Sequence, residues 1–223
     1  MKILIIPAYN EGSQVGEVVR SVLSKVDKVI VVDDGSVDAT SEEATLAGAI
    51  TLRHAVNRGY GAALQTGQVL ALELGATVII HFDADGQFLA DDIEKVIAPI
   101  ENKQADVVLG SRFLGNVENI PSLRKFILKL GIVFTWVFSG IKLTDAHNGF
   151  RAVSASALTR MDFIHDEMAF SSEFIDEVAR LKLRWVEVPV TVRYTDYSIK
   201  SSKQGRMPAL KIVKDLILGK FIK

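Results

Sequence analysis

TVIIHFDADGQF, residues 77–88, is a β-branched apolar run that ends abruptly in Asp83, Asp85 and Gln87. The run is apolar on both alternating sides, as expected of a strand covered on both faces, which is the habit of parallel sheets. In an extended segment every second side chain points the same way, so the spacing predicts three oxygen-bearing groups aimed together just past the strand's end. Two carboxylates and an amide carbonyl, with no His or Cys, form a hard oxygen donor set that suits Mg²⁺ or Mn²⁺ and not zinc. Such a set leaves part of an octahedral shell to water or to the phosphate oxygens of a substrate. The competing reading is an Asp-rich turn that caps the following helix.

Outward from this strand the same grammar repeats. KILIIP (2–7) and KVIVVDD (28–34) are apolar strands, and ITLRH (50–54) reads as a third. Between them lie a helix capped by Ser13, with Val15, Val18, Val19, Val22, Leu23 and Val26 at helical spacing, and a short helix whose Thr40 and Glu43 have capping-box spacing. NRGYG opens a helix that runs to Gly75, another spans about 89–101, and ADVVLGSR (105–112) is a fifth strand. Strands separated by single helices predict an α/β fold with a mainly parallel, Rossmann-like sheet flanked by helices. Ligands in such sheets bind beyond the carboxyl ends of the strands. The polar residues cluster there: Tyr9, Asn10 and Glu11, then Asp33 and Asp34, then Asp83 to Gln87, then Ser111 and Arg112. Further on, helices over about 122–142 and 154–161 flank the polar loop TDAHNGFR (144–151), a helix lies near 171–182, and WVEVPVTVRY (185–194) is a strand pair or one long strand with Pro189 at an edge.

Composition narrows the function classes. The 223 residues carry 26 basic and 27 acidic side chains, a net charge of −1, so bulk nucleic-acid binding is not favoured. Without cysteine there is no disulfide framework, thiolate metal site or Cys nucleophile, which is compatible with a reducing cytoplasm. The first strand is followed by PAYNEGS in place of a dinucleotide-binding glycine fingerprint, and neither a Walker lysine loop nor a G-x-S-x-G elbow is present. His54, His81, His147 and His165 are too scattered for a zinc triad. Arg112, Arg124, Arg151 and Arg193 lie at or near loops, followed by Lys200 and Lys203, where guanidinium forks could match phosphate. Each is also readable as a solvated surface charge.

PAYNE, VVDDGS, NRGYGAAL, DADGQ, GSRF, DAHNGFR and EVPV, in this order over about residues 1–195, resemble the family 2 glycosyltransferases of the GT-A fold, and within them the dolichyl-phosphate mannose synthase type. The resemblance implies that Asp83, Asp85 and Gln87 hold a divalent metal on the diphosphate of a nucleotide sugar of the GDP-mannose or UDP-glucose type. It implies further that Pro7, Tyr9, Glu11, Asp34 and Ala84 contact the nucleotide, that Arg112 takes phosphate, and that Arg193 and Lys203 do so too, with Lys200 competing for the latter role. The implied reaction is inverting transfer of a hexose to a polyprenyl phosphate. A phosphate monoester is already ionised at neutral pH and needs no base. If the acceptor is instead a saccharide hydroxyl, Asp145, Glu173 and Asp176 are the candidate bases. A non-catalytic nucleotide-sugar-binding subunit of a glycosylation complex is the rival of another class.

A lipid acceptor requires access to a membrane. The uncharged stretch LGIVFTWVFSGI (130–141) would span only about 18 Å as a helix, short of a ~30 Å hydrocarbon core. It reads as a core helix, or as one that rests Phe134, Trp136 and Phe138 on a bilayer. The tail after 205, RMPALKIVKDLILGKFIK (206–223), sets Arg206, Lys211, Lys214, Lys220 and Lys223 against Asp215 and reads as a basic amphipathic helix, in the interface or docked on the sheet. The expected organisation is a transferase domain over 1–205 followed by this helix, at the cytoplasmic face of a membrane, peripherally or through a membrane partner.

Overall fold

A computed structural model of the chain describes residues 1–120, 122–146, 148–195 and 197. The elements in chain order are β1 (Lys2–Ala8), α1 (Val15–Val22), β2 (Lys28–Asp33), α2 (Thr40–Leu46), β3 (Ile50–Arg53), α3 (Tyr60–Glu73), β4 (Val78–His81), α4 (Ile93–Glu101), β5 (Val107–Glu118), α5 (Ser122–Ser139), β6 (Arg151–Ser154), α6 (Ala155–Leu158), α7 (Phe170–Arg180) and β7 (Trp185–Arg193). The strands form one seven-stranded sheet in the order β3-β2-β1-β4-β6-β5-β7. Successive residues of β1 serve opposite faces: Leu4 and Ile6 pack with α1 and α4, whereas Ile3 and Ile5 pack with α3 and α7. This two-sided burial is the physical reason the strands are apolar without alternation.

All neighbours run parallel except β6, which is antiparallel to both β4 and β5. β6 carries no strand signal in the sequence: four residues, opened by a charged Arg151, lie where the residue pattern predicts a loop and then a helix. α6 keeps only one turn of the helix expected over 154–161. Inserting one reversed strand between β4 and β5 leaves those two pointing the same way, so the carboxyl ends of β1, β2, β4 and β5 still open on one edge. β5 continues six residues beyond Arg112, with a register break against β7 between Ser111 and Asn116. Arg112 therefore sits within a strand and not at its end. β7 is a single long strand at the sheet edge, where the absent N–H of Pro189 costs nothing. Both expected caps differ: α1 is entered from Gln14 and not Ser13, and Thr40 is already inside α2, its hydroxyl accepting from the Glu11 N–H at 2.9 Å.

α5 lies on the surface. Phe126, Leu130, Val133 and Val137, spaced along one face, are all exposed, and Trp136 and Phe138 are exposed beside them, while Thr135 is buried. The core-helix reading therefore holds for only one side of this helix. Among the described residues no helix is long and apolar enough to cross a membrane. Lys200, Lys203, His147, the 205/206 boundary and the 206–223 helix lie outside the described residues.

Candidate active site

At the ends of β1 and β2 the chain is stitched by short polar links. Asn10, at φ 57°, donates its N–H to Ser36 Oγ and accepts from the Val37 N–H, each at 2.9 Å. Asp33 accepts from the Ser36 N–H at 2.8 Å and from the Ser41 hydroxyl. Asp34, 3% exposed, accepts from the backbone N–H groups of Arg58 and Gly59 at 2.8 and 2.7 Å and lies 2.7 Å from His54 Nδ1. His54 Nε2 in turn meets Thr66 Oγ1 at 2.9 Å. The carboxylate proposed for the nucleoside is thus committed to holding the 57–60 loop, and its influence on a bound base runs through that loop. Gly59 adopts φ 110°, and a Cβ there would come within 2.5 Å of the Asp166 carbonyl oxygen. Only glycine lets the two loops touch.

Pro7 is buried opposite Val32, beyond the point where β4 pairing ends at Ile5–His81, so its missing donor is not needed. Tyr9 is half-buried at the crevice wall. Glu11 accepts from the Tyr197 hydroxyl at 2.7 Å, and burial, reinforced by the charges of Asp38 and Asp83, holds its carboxyl above the usual range despite that bond.

The metal segment is not extended. It turns at Ala84–Gly86, with Gly86 at φ 71° and Asp85 Oδ1 accepting from the Gln87 N–H at 3.1 Å. The turn reading and the ligand reading therefore coexist, and alternation is not what gathers the carboxylates. Asp83 and Asp85 stay at the crevice, whereas Ala84 belongs to the core and Gln87 is 6% exposed with Nε2 unpartnered. Tyr60, the first residue of α3, donates its hydroxyl to Asp83 Oδ1 at 3.2 Å. On the other side Gly149 packs flat on Asp83: a Cβ there would lie 2.6 Å from Oδ2. Burial pushes the Asp83 carboxyl up, opposed by the Tyr60 hydrogen bond and by Arg151 and Arg112. Among the described residues no group of three or more His, Cys, Asp or Glu side chains is placed to hold a metal. The donor set fits a hard divalent ion only as a partial shell to be completed by phosphate oxygens, as the residue types imply.

Arg112 faces this corner from β5. It is 6% exposed; Nε bonds Asp145 Oδ2 at 2.6 Å, Nη1 the Tyr194 hydroxyl at 2.5 Å, and its own N–H reaches Asp145 Oδ2 at 3.0 Å. Burial alone would lower its pKa, and the partners Asp145 and Tyr194 more than reverse this. Asp145 is oriented by Asn148 and, through its backbone N–H, by Glu187, while its Oδ1 has no partner. Asp145 thus gives its Oδ2 to the buried guanidinium. Glu173 accepts from the N–H groups of Ile164 and His165 and so shapes the loop before α7. Arg193 brings its backbone N–H to the Gln87 carbonyl at 2.9 Å, but its guanidinium is half-exposed and pairs with Glu118 at 3.0 Å. Tyr60, His54, Gly149 and Tyr194 were not singled out from sequence: their roles depend on loops meeting across the sheet, and only the quoted motifs NRGYG and DAHNGFR hint at two of them.

Residues 3–161 match the family model described as Glycosyl transferase family 2. The chain belongs to this family. Among relatives in sequence, a UDP-N-acetylglucosamine–dolichyl-phosphate N-acetylglucosaminyltransferase of Methanococcus voltae is 38% identical over 219 residues, covering 88% of this chain and 87% of the relative. An undecaprenyl-phosphate mannosyltransferase of Micrococcus luteus is 33% identical over 204 residues, covering 86% and 83%. Among solved structures, glucosyl-3-phosphoglycerate synthase from Mycobacterium tuberculosis, in complex with Mn²⁺, UDP-glucose and phosphoglyceric acid, superposes with a TM-score of 0.76 at 19% identity, covering 100% of this chain and 80% of that one. The fold is therefore the GT-A glycosyltransferase fold, and the chain is a transferase of family 2.

Proposed function

We propose that this family 2 glycosyltransferase moves a hexose, with inversion, from a nucleoside diphosphate of the GDP-mannose or UDP-glucose type to a polyprenyl phosphate at a membrane surface. The observation that carries the reading is the corner formed by Asp83, Asp85 and Arg112 at the strand ends, joined by the 141–150 loop to the exposed apolar face of α5. That loop places Asp145 on Arg112 and Gly149 on Asp83, so the segment between α5 and β6 reaches both charged groups. The names of the two sequence relatives, both transferases to polyprenyl phosphates, support the acceptor class.

In this reading Asp83, Asp85 and the amide oxygen of Gln87 would hold Mg²⁺ or Mn²⁺, which when bound offsets charge on the departing diphosphate. Tyr9 and the 57–60 loop fixed by Asp34 wall the nucleoside. Arg112 adds positive charge for phosphate, as Arg193 and Lys203 would, and its prior engagement with Asp145 and Tyr194 keeps the guanidinium from reorganising during reaction. The acceptor attacks through an oxygen that is already anionic, so the chain supplies positioning and no base. α5 lays Phe126, Leu130, Val133 and Val137 toward the bilayer with Lys125 and Lys129 alongside, an arrangement suited to an anionic interface.

The test is incubation of the protein with Mn²⁺ or Mg²⁺, labelled GDP- and UDP-sugars and a polyprenyl phosphate in vesicles. Label is expected in the organic phase. Label only on a soluble saccharide would replace this acceptor by a glycan, and no turnover with any donor would favour a binding subunit.

A further inference from the structure

Arg151 was counted from sequence among loop arginines available to phosphate. It is instead the first residue of β6, opposite His81 in the antiparallel register with β4, and 2% exposed. Its Nε donates to His81 Nδ1 at 3.0 Å. Because arginine only donates, Nδ1 must accept, so the imidazole is neutral with its proton on Nε2, and the Gln68 side-chain amide 3.0 Å away must turn its oxygen to that proton. The guanidinium carbon lies 4.4 Å from the Phe174 ring centroid and 5.4 Å from that of Phe170. Arg151 is thus walled by two aromatic rings and a neutral imidazole. Among the described residues it forms no salt bridge, and its Nη2 has no partner.

A buried guanidinium stays protonated, and an unpaired buried charge is costly unless some nearby charge offsets it. The offsetting charge is that of Asp83, to which the Tyr60 hydroxyl is bonded. Tyr60 bonds Asp83 on one side and Gly149 closes the other, so this carboxylate has no room to swing away from the cation. Asp83 therefore has a resident counter-charge built into the sheet behind it.

A bare divalent ion arriving at Asp83 and Asp85 meets a fixed positive charge in a region of low dielectric, where repulsion is strong. An ion that carries a diphosphate brings its own negative charge and escapes most of that repulsion. We infer that Arg151 makes the Asp83–Asp85 corner a deliberately weak site for free metal, so that metal and nucleoside diphosphate load together. Arg151 is a positioning residue in this scheme, acting through Asp83 and touching neither sugar nor phosphate. The inference rests on the metal reading proposed above.

The test follows free Mn²⁺ by electron paramagnetic resonance at pH 8 with the full chain, alone and with saturating UDP or GDP. Arg151→Met should bind Mn²⁺ about tenfold more tightly than the parent without nucleotide. The factor by which nucleotide strengthens Mn²⁺ binding should shrink by a similar amount. Arg151→Lys, which keeps the charge, should behave like the parent. If Arg151→Met fails to fold by circular dichroism, Arg151→Gln removes the charge while keeping a donor for His81. Unchanged or weaker Mn²⁺ binding in the charge-free variant, with the parent binding Mn²⁺ in the presence of nucleotide, overturns this inference alone. A parent that binds no Mn²⁺ with either nucleotide overturns the metal reading itself, and this inference with it.

Discussion

Beneath β1 and β2, the carboxylates of Asp33, Asp34 and Asp38 are given to the N–H groups of Ser36, Arg58, Gly59, Gly12 and Thr40. Beneath β4, β5 and β6, three buried side-chain atoms, Gln87 Nε2, Asp145 Oδ1 and Arg151 Nη2, have no partner among the described residues. Buried polar groups are nearly always satisfied, so orphans gathered on one flank of a crevice mark where binding energy is held for something other than folding. The satisfied flank is held by its own backbone, and in the proposed reading it walls the nucleoside. The other flank concentrates unbalanced charge, as a site that must stabilise a changing charge distribution requires.

Substitutions can break this contrast, and the largest effect is expected at Arg112. Arg112→Met strands Asp145 in the interior without its partner and should cost about 3–5 kcal/mol of unfolding free energy, read from the urea midpoint. Asp85→Ala should leave the melting temperature nearly unchanged while metal-dependent transfer falls more than about 100-fold, in steady-state assays. On the satisfied flank Asp34→Ala removes the acceptor of two backbone amides and should cost about 2 kcal/mol. Amide exchange at Arg58 and Gly59 should then accelerate out of proportion to the rest of the sheet. If Asp34→Ala instead spared stability and abolished only nucleotide binding, the division between the flanks would fail.

Acid probes the same contrast more gently. Burial, aided by Arg151, pushes the His81 pKa well below its ordinary value, so the imidazole is neutral when folded and protonates on unfolding. Its contribution is complete above about pH 6.5 and is lost as pH falls through that value, at up to about 1.4 kcal/mol per pH unit. Urea titrations between pH 7.5 and 5.5 should show this slope, flattened in His81→Gln. Smallest of all, Arg193→Ala breaks an exposed pair with Glu118 and should shift stability by no more than about 0.5 kcal/mol.

Legibility from sequence follows the same division. β1 through α4 announce themselves by apolar runs and helical spacing, because each is a regular element covered by its neighbours. β6 does not: four residues opened by an arginine carry too little periodicity, and their pairing with β4 is a contact across 70 residues. For the same reason Arg151 passes for a surface cation, and Asp34 for a free ligand, until the 57–60 loop is seen folded back on it. The chemical types at the strand ends were readable, but which acids serve the chain and which face the crevice depends on loops meeting in space. The apolar stretch in α5 was visible as composition, yet not which side of it the sheet would cover.

The reversed β6 also sets an order of events during synthesis. β1, β2, β3 and β4 can pair as soon as residue 81 has emerged, but one edge of β4 stays open until Arg151–Ser154 arrives. At ~5–20 residues per second that delay lasts several seconds. The β1–β4 part of the sheet can therefore assemble first, and Arg151 joins it beside Asp83 only once β6 has emerged. Over that interval the nascent chain carries an unpaired apolar strand edge, the kind of surface that invites misassociation. A ribosome-bound chain stalled before residue 151 should accordingly be more susceptible to protease within β4 than one stalled after residue 195.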